Sequence, residues 1–414
     1  MFRPAPMTGV GSGITMRPRK PAFPDPQFIT GTEALKAFCA PLHAEPFVTI
    51  DTEFMRERTF YPELCVVQVA GESSVAVIDA QAEGLDLQPL WELLLAPSVT
   101  KVFHAARQDI EIVFLKTGRT PAPLFDTQVA AMVAGFGDQV AYDALVAALA
   151  GGHIDKAYRF TDWSARPLSA EQVAYAAADV TWLRRVYEKL RARLEREGRL
   201  DWVAEEMAEL ADPATYRIEP ETAWLRLKPR SSNRRYLGAL RAIAAWRERE
   251  AMRLNIPRQR VVKDESLAEI AAARPADTAA LARVRGFPRG LAEGKAGLAL
   301  VAALAEAAAL PEEALPEPGD RRDAAKPSAA LVALLKVLLA TKCEEHHVAS
   351  KLVANSDEIE RLAAEDDPPV PALHGWRRKV FGEDALALKA GRIALSSGGK
   401  RVRLVPLGPG ADAD

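Results

Sequence analysis

Cysteine is scarce: Cys39, Cys65 and Cys343 are the only three in 414 residues, and none forms a Cys-x-x-Cys pair. That scarcity excludes a disulfide framework and a structural zinc site, and it fits a reducing cytosol. Long apolar runs are missing too: none approaches the length a helix needs to cross a bilayer. Arg3, Arg17, Arg19 and Lys20 make the N-terminus basic, yet no apolar segment follows them to build a secretory signal. Nor is there a strong net charge. The balance is -2, and it is unevenly spread.

What is present suffices for two or three domains, each with its own core. Residues 1–24, rich in Pro, Gly and Met, read as a disordered tail. Strands are expected at Phe28–Thr30, around Asp51, at Cys65–Ala70 and at Val75–Asp79, with the last three spaced as an antiparallel meander. A helix near Leu90–Leu95, a strand at Lys101–His104 and a helix at Arg107–Lys116 follow, and the pattern is then helical to Arg193. This predicts an α/β domain with a mixed sheet. Pro213 and Pro220 mark a boundary, a helical segment occupies 223–308, and the acidic, Pro-rich stretch from Pro311 to Pro318 reads as a linker. A last helical unit begins near Pro327 and ends in a hairpin over Gly391–Val405, whose glycines and Lys400 lack the flanking strand and helix of a phosphate loop.

Phe47-Val-Thr-Ile-Asp-Thr-Glu-Phe54 puts two acids into an otherwise apolar strand. Alternation sends Val48 and Ile50 to one face and Asp51 and Glu53 together to the other. Adjacent carboxylates repel, so such a pair either dissolves into solvent or encloses hard divalent cations. Asp109 falls in the first turn of a helix, where an acid also complements the helix N-terminus. Tyr175 and Asp179, at i and i+4, share a helix face, with three alanines between them that permit close approach. The sequence Cys343-Glu-Glu-His-His347 reads as a polar helix face, because adjacent histidines point about 100° apart and cannot chelate one ion.

Together Asp51, Glu53, Asp109, Tyr175 and Asp179 resemble the signature of the DEDD exonucleases with a tyrosine in the third motif. Tyr61-Pro62, Phe103-His-Ala, Asp126-Thr-Gln128, Thr161-Asp-Trp163, Arg166-Pro-Leu168 and Asp179-Val-Thr extend the similarity, in order, to the ribonuclease D family over roughly residues 28–194. The segment 223–308 is similar to the helicase-and-ribonuclease-D C-terminal (HRDC) domain through Arg235-x-Leu237, Trp246-Arg247, Pro257, Leu267 and Gly286. The resemblance implies a ribonuclease H-like mixed sheet at 25–215, an HRDC domain at 223–308, a linker at 309–326, a second, divergent HRDC-like copy at 327–406 and a tail at 407–414.

It also implies a 3′–5′ exoribonuclease that uses two divalent cations, Mg²⁺ or Mn²⁺, and releases nucleoside 5′-monophosphates. By that analogy Asp51 bridges both ions, Glu53 and Asp179 complete the water-activating position, Asp109 holds the other ion, and Tyr175 orients the water. Phe54 and Met55 are expected to wedge against terminal bases, Gln68 to meet sugar or base edges, and Lys156, Arg159 and Arg166 to hold phosphates. The segment 223–308 carries roughly nine more basic than acidic residues, and most of its arginines are expected to point outward to an RNA backbone. The partner implied is RNA with a free 3′ end, such as a tRNA precursor, met in the cytoplasm by a monomer with no membrane and no small-molecule cofactor. The competing readings are a proofreading DNA exonuclease and a non-catalytic RNA-binding adaptor.

Overall fold

A computed structural model describes residues 25–317 and 327–408. The expected N-terminal tail, residues 318–326 of the expected linker and the last residues of the C-terminal tail lie outside them. Six strands form one mixed sheet in the order β1-β4-β3-β2-β5-β6. They are β1 Gln27–Ile29, β2 Phe47–Met55, β3 Glu63–Ala70, β4 Val75–Asp79, β5 Thr100–Phe103 and β6 Leu124–Asp126. The β2-β3-β4 meander is antiparallel, whereas β1 on β4, β5 on β2 and β6 on β5 are parallel.

The sheet's two faces explain the pattern along β2. Val48 and Ile50 join the large core built with α1 (Thr32–Leu42), α2 (Gln88–Leu95) and α3 (Arg107–Thr117). The helices α4 (Thr127–Val133) and α5 (Tyr142–Ala150) precede α6 (Ala170–Arg196), which crosses the opposite face. Its start is fixed by a reciprocal cap: Ser169 Oγ accepts from the Gln172 N–H at 3.1 Å while Gln172 Oε1 accepts from the Ser169 N–H at 2.8 Å. Ala176, Ala177 and Val180 pack on Val66, Ala70 and Val77 there. Small side chains bring the helix so close that Thr49 Oγ1 donates to the Val180 carbonyl at 2.7 Å.

Strand β6 was not anticipated. Its three residues sit directly before α4, too short for a period of two to show. It nonetheless shapes the site: Asp126 at its end accepts from the N–H groups of Ala105 and Ala106, at 3.0 and 2.8 Å. Those bonds hold Ala105 at a φ of 61° and so aim the start of α3.

After α7 (Leu200–Leu210), two helical modules have separate cores. The first contains α8 (Arg234–Leu254), α9 (Arg258–Val261), α10 (Asp264–Ala273), α11 (Thr278–Leu281), α12 (Arg289–Ala292) and α13 (Lys295–Ala309). The second runs from α14 (Ala329–His346) through α15 (Ser350–Val353), α16 (Ser356–Ala364), α17 (Gly375–Arg377) and α18 (Glu383–Lys389) to a hairpin of β7 (Ile393–Gly398) and β8 (Arg401–Pro406). Among the described residues, no helix is long and apolar enough to cross a membrane.

Candidate active site

Strand β2 and helix α6 meet at the carboxylates. Oxygens of Asp51, Glu53 and Asp179 lie within 4.8 Å of one another, the one acid cluster of this kind among the described residues. Asp109 is outside that triplet but beside it, buried in the first turn of α3 and hydrogen-bonded by the Thr52 hydroxyl. None of the four is ion-paired with a lysine or arginine among the described residues.

Unpaired burial has the expected electrostatic effect. Burial, only partly opposed by the Thr52 backbone bond, pushes Asp51 up to about 6. Glu53 rises to about 9, first through burial and then through the charges of Asp51, Asp179 and Asp109. Asp109 and Asp179 are both held well above the usual carboxylate range, by burial first and Asp51 second. The Tyr175 hydroxyl bonds to Asp179 from one helical turn away, and burial raises its own pKa, so the phenol keeps its proton at neutral pH. Such a pocket of oxygen donors, costly to ionise without a cation, fits a hard divalent ion.

A cavity of about 330 Å³ opens over the cluster, lined by Asp51, Glu53, His104, Tyr142, Lys156, Arg159, Tyr175 and Asp179. His104 and Tyr142 were given no role by the sequence reading. The Tyr142 hydroxyl donates to the Asp179 carbonyl, and His104 Nδ1 lies 3.0 Å from Thr127 Oγ1. No motif spacing marks Tyr142; it reaches α6 only because α5 folds back on that helix.

Of the expected substrate contacts, Lys156 and Arg159 reach this cavity, Lys156 being paired with Asp143 at 2.8 Å. Phe54 and Met55 line a neighbouring cavity instead. Gln68 and Arg166 line neither cavity. Gln68 pairs in register with Asp51 but has no exposed surface, because it lies between Val66 and Ala70 on the strand face that α6 seals. Arg166 forks onto Asp79 at 2.6 and 2.8 Å and donates to the carbonyls of Cys65, Trp163 and Ala165, which occupies its guanidinium.

Most arginines of the first module are exposed, as expected, but five of them are half-buried or buried. Arg234, Arg235 and Arg241 donate to carbonyls of residues 308–315, Arg247 is buried against Val262 and Asp264, and Arg258 forks onto Glu248. The first three bind carbonyls at and just after the C-terminus of α13, where orphan carbonyls attract donors.

Fold and acid cluster thus define a 3′–5′ exonuclease type of domain joined to helical modules. A family model described as a 3′–5′ exonuclease matches residues 26–195, and one described as an HRDC domain matches residues 237–304. The ribonuclease D of Acidiphilium cryptum is 65% identical over 392 residues, covering 95% of this chain and 100% of that one. That of Granulibacter bethesdensis is 64% identical over 393 residues, covering 95% and 100%. The crystal structure of Escherichia coli RNase D superposes with a TM-score of 0.75 at 29% identity, over 88% of this chain and 99% of that one. The chain belongs to the ribonuclease D family, a metal-dependent group of 3′–5′ exoribonucleases. The DNA-proofreading and adaptor readings are not favoured.

Proposed function

We propose that this chain trims RNA from its 3′ end one nucleotide at a time, releasing nucleoside 5′-monophosphates, with two divalent cations, Mg²⁺ or Mn²⁺, at the acid cluster. The observation that carries this reading is the convergence of Asp51, Glu53 and Asp179, with Asp109 alongside and no basic side chain neutralising them. Asp51, whose charge acts on each of the other three, is suited to be shared between two ions, with Glu53 and Asp179 on one and Asp109 on the other. When bound, the ions supply charge neutralisation at the scissile phosphate and a more acidic water. Tyr175 keeps its proton and positions; it is a poor base. Thr52 holds the Asp109 carboxylate, and Tyr142 ties the α6 backbone at Asp179.

The substrate class follows from the relatives. The Escherichia coli relative is described as an exoribonuclease involved in structured RNA processing, which supports structured RNA as the substrate here; we propose tRNA precursors as that RNA, met in the cytoplasm by a monomer. The chain divides into an exonuclease domain at 25–215, an HRDC domain at 223–308 and a divergent HRDC-like domain at 327–406, the three having separate apolar cores. The test is digestion of end-labelled RNA and DNA of the same sequence, with Mg²⁺, Mn²⁺ or chelator. Stepwise 3′ shortening of RNA that stops with chelator is expected. Chelator-resistant digestion, or cleavage only of the DNA, overturns the reading.

A further inference from the structure

Phe160 is 91% exposed, the most exposed large apolar side chain among the described residues. Its ring pays the hydrophobic cost of facing water on a segment that is otherwise well held. Arg166 donates to the Trp163 carbonyl at 2.7 Å, and Asp162 Oδ1 accepts from the Ser164 N–H at 2.9 Å. The ring overhangs a second cavity, about 550 Å³, between the 53–59 and 159–164 segments. The opposite wall is also fixed: Asn255 Oδ1 accepts from the N–H groups of Phe60 and Tyr61, both at 3.1 Å, and Arg56 forks onto Glu111 at 2.7 and 2.8 Å.

Two cationic side chains, Arg58 and Arg159, line this cavity beside Glu57, Glu63 and Asp162; neither makes a carboxylate ion pair among the described residues, although the Arg58 charge reaches Asp162. The Arg159 guanidinium lies 5.3 Å from the Phe160 ring centre. Glu53 and Arg159 line both cavities, so the second is continuous with the acid cluster. An open ring face beside two fork-shaped donors is the chemistry that receives a base and its phosphate.

We propose that the second cavity is a subsite for the nucleotide upstream of the scissile phosphate, its base stacked on Phe160 and its phosphates held by Arg159 and Arg58. The proposal rests on the exonuclease reading of the acid cluster. Stacking on a ring without hydrogen-bond readout makes the subsite tolerant of sequence, and it serves only substrates long enough to pass the first cavity.

The test compares the full chain with Phe160→Ala and Phe160→Trp on two substrates. One is an unstructured pentanucleotide RNA; the other is a p-nitrophenyl ester of a nucleoside 5′-monophosphate, which offers no upstream base. Phe160→Ala is expected to raise KM for the pentanucleotide about tenfold, the scale of one lost base–ring stack. Its kcat and its activity on the ester stay unchanged, and Phe160→Trp restores KM. An unchanged pentanucleotide KM overturns the subsite and leaves the ring as a contact for a protein partner. An equal loss on the ester also overturns it, since the ring would then act on the first cavity. If the unsubstituted chain cleaves neither substrate with Mg²⁺ or Mn²⁺, the exonuclease reading itself has failed.

Discussion

The two helical modules meet the nuclease domain in different ways. The first inserts itself into the active-site neighbourhood: Phe60, from the turn after β2, belongs to that module's core, and the Arg258 guanidinium lies 4.5 Å from its ring centre. Asn255 closes α8 in the left-handed region, at a φ of 49°, and from there its side chain holds the same turn. The second grips α7 and α4 near the β6 edge. Trp376 stacks on Trp202 at 4.7 Å and 9° and donates to Glu206 at 3.0 Å, while Arg377 pairs with Glu206 at 2.6 Å. Thus one attachment is mechanically joined to the segment carrying Arg56 and Arg58, and the other braces the scaffold. The two attachments differ in functional reach, depending on what the anchored segment carries.

Variants can break or sharpen this contrast. The largest effect lies upstream of both modules: Asp51→Asn should lower turnover at least about a thousandfold by removing the shared cation ligand, while RNA affinity in a filter-binding assay stays within a few fold. Next comes the direct comparison. Phe60→Ala and Trp376→Ala each empty a buried aromatic site and should cost about 3–5 kcal/mol in denaturant unfolding. Only Phe60→Ala should also lower kcat/KM, by about tenfold, as the turn loosens. Equal losses of activity in the two variants would erase the distinction between the attachments. Asn255→Ala is a gentler probe, costing about 1–3 kcal/mol for two N–H groups left without their acceptor, with a smaller drop in kcat/KM.

The smallest expected effect is thermal. Glu53 has a pKa raised from an ordinary 4.5 to about 9, so the folded chain without cation binds its proton more tightly than the unfolded chain does. Its contribution is therefore fully present below about 4.5 and is lost as pH rises toward 9, and Asp51, raised to about 6, acts in the same direction at lower pH. In chelator, Tm should fall between pH 5 and pH 9. Adding Mn²⁺ at a hundredfold excess over its Kd should recover about 2.7 kcal/mol, or a few degrees, and more at the alkaline end. A Tm that ignores both chelator and pH would detach the cluster from cation binding.

Much of the nuclease domain was legible because local rules governed it. The β2–β4 meander, the helix at 107, the helical placement of Tyr175 and Asp179 and the terminal hairpin followed from periodicity and turn residues. The acids of β2 stood out because they interrupt an apolar strand. Arg166 was misread for the opposite reason: nothing near it in sequence reveals that Asp79, 87 residues away, occupies its guanidinium. Three arginines of α8, Arg234, Arg235 and Arg241, were misplaced similarly, since their acceptors are carbonyls some 75 residues further on.

By itself, then, the sequence determined which side chains share a strand face or a helix face, because those periods are properties of the backbone. It also determined that Asp51 and Glu53 point together and that Tyr175 lies one turn from Asp179. Tertiary structure decided which charges stay free. Burial and through-space partners left the cluster acids without a lysine or arginine ion pair among the described residues, engaged Arg166 and three arginines of α8, sealed Gln68 under α6, and left Phe160 facing water beside the cleft. Those outcomes depend on distances between segments far apart in the chain, which no local pattern encodes.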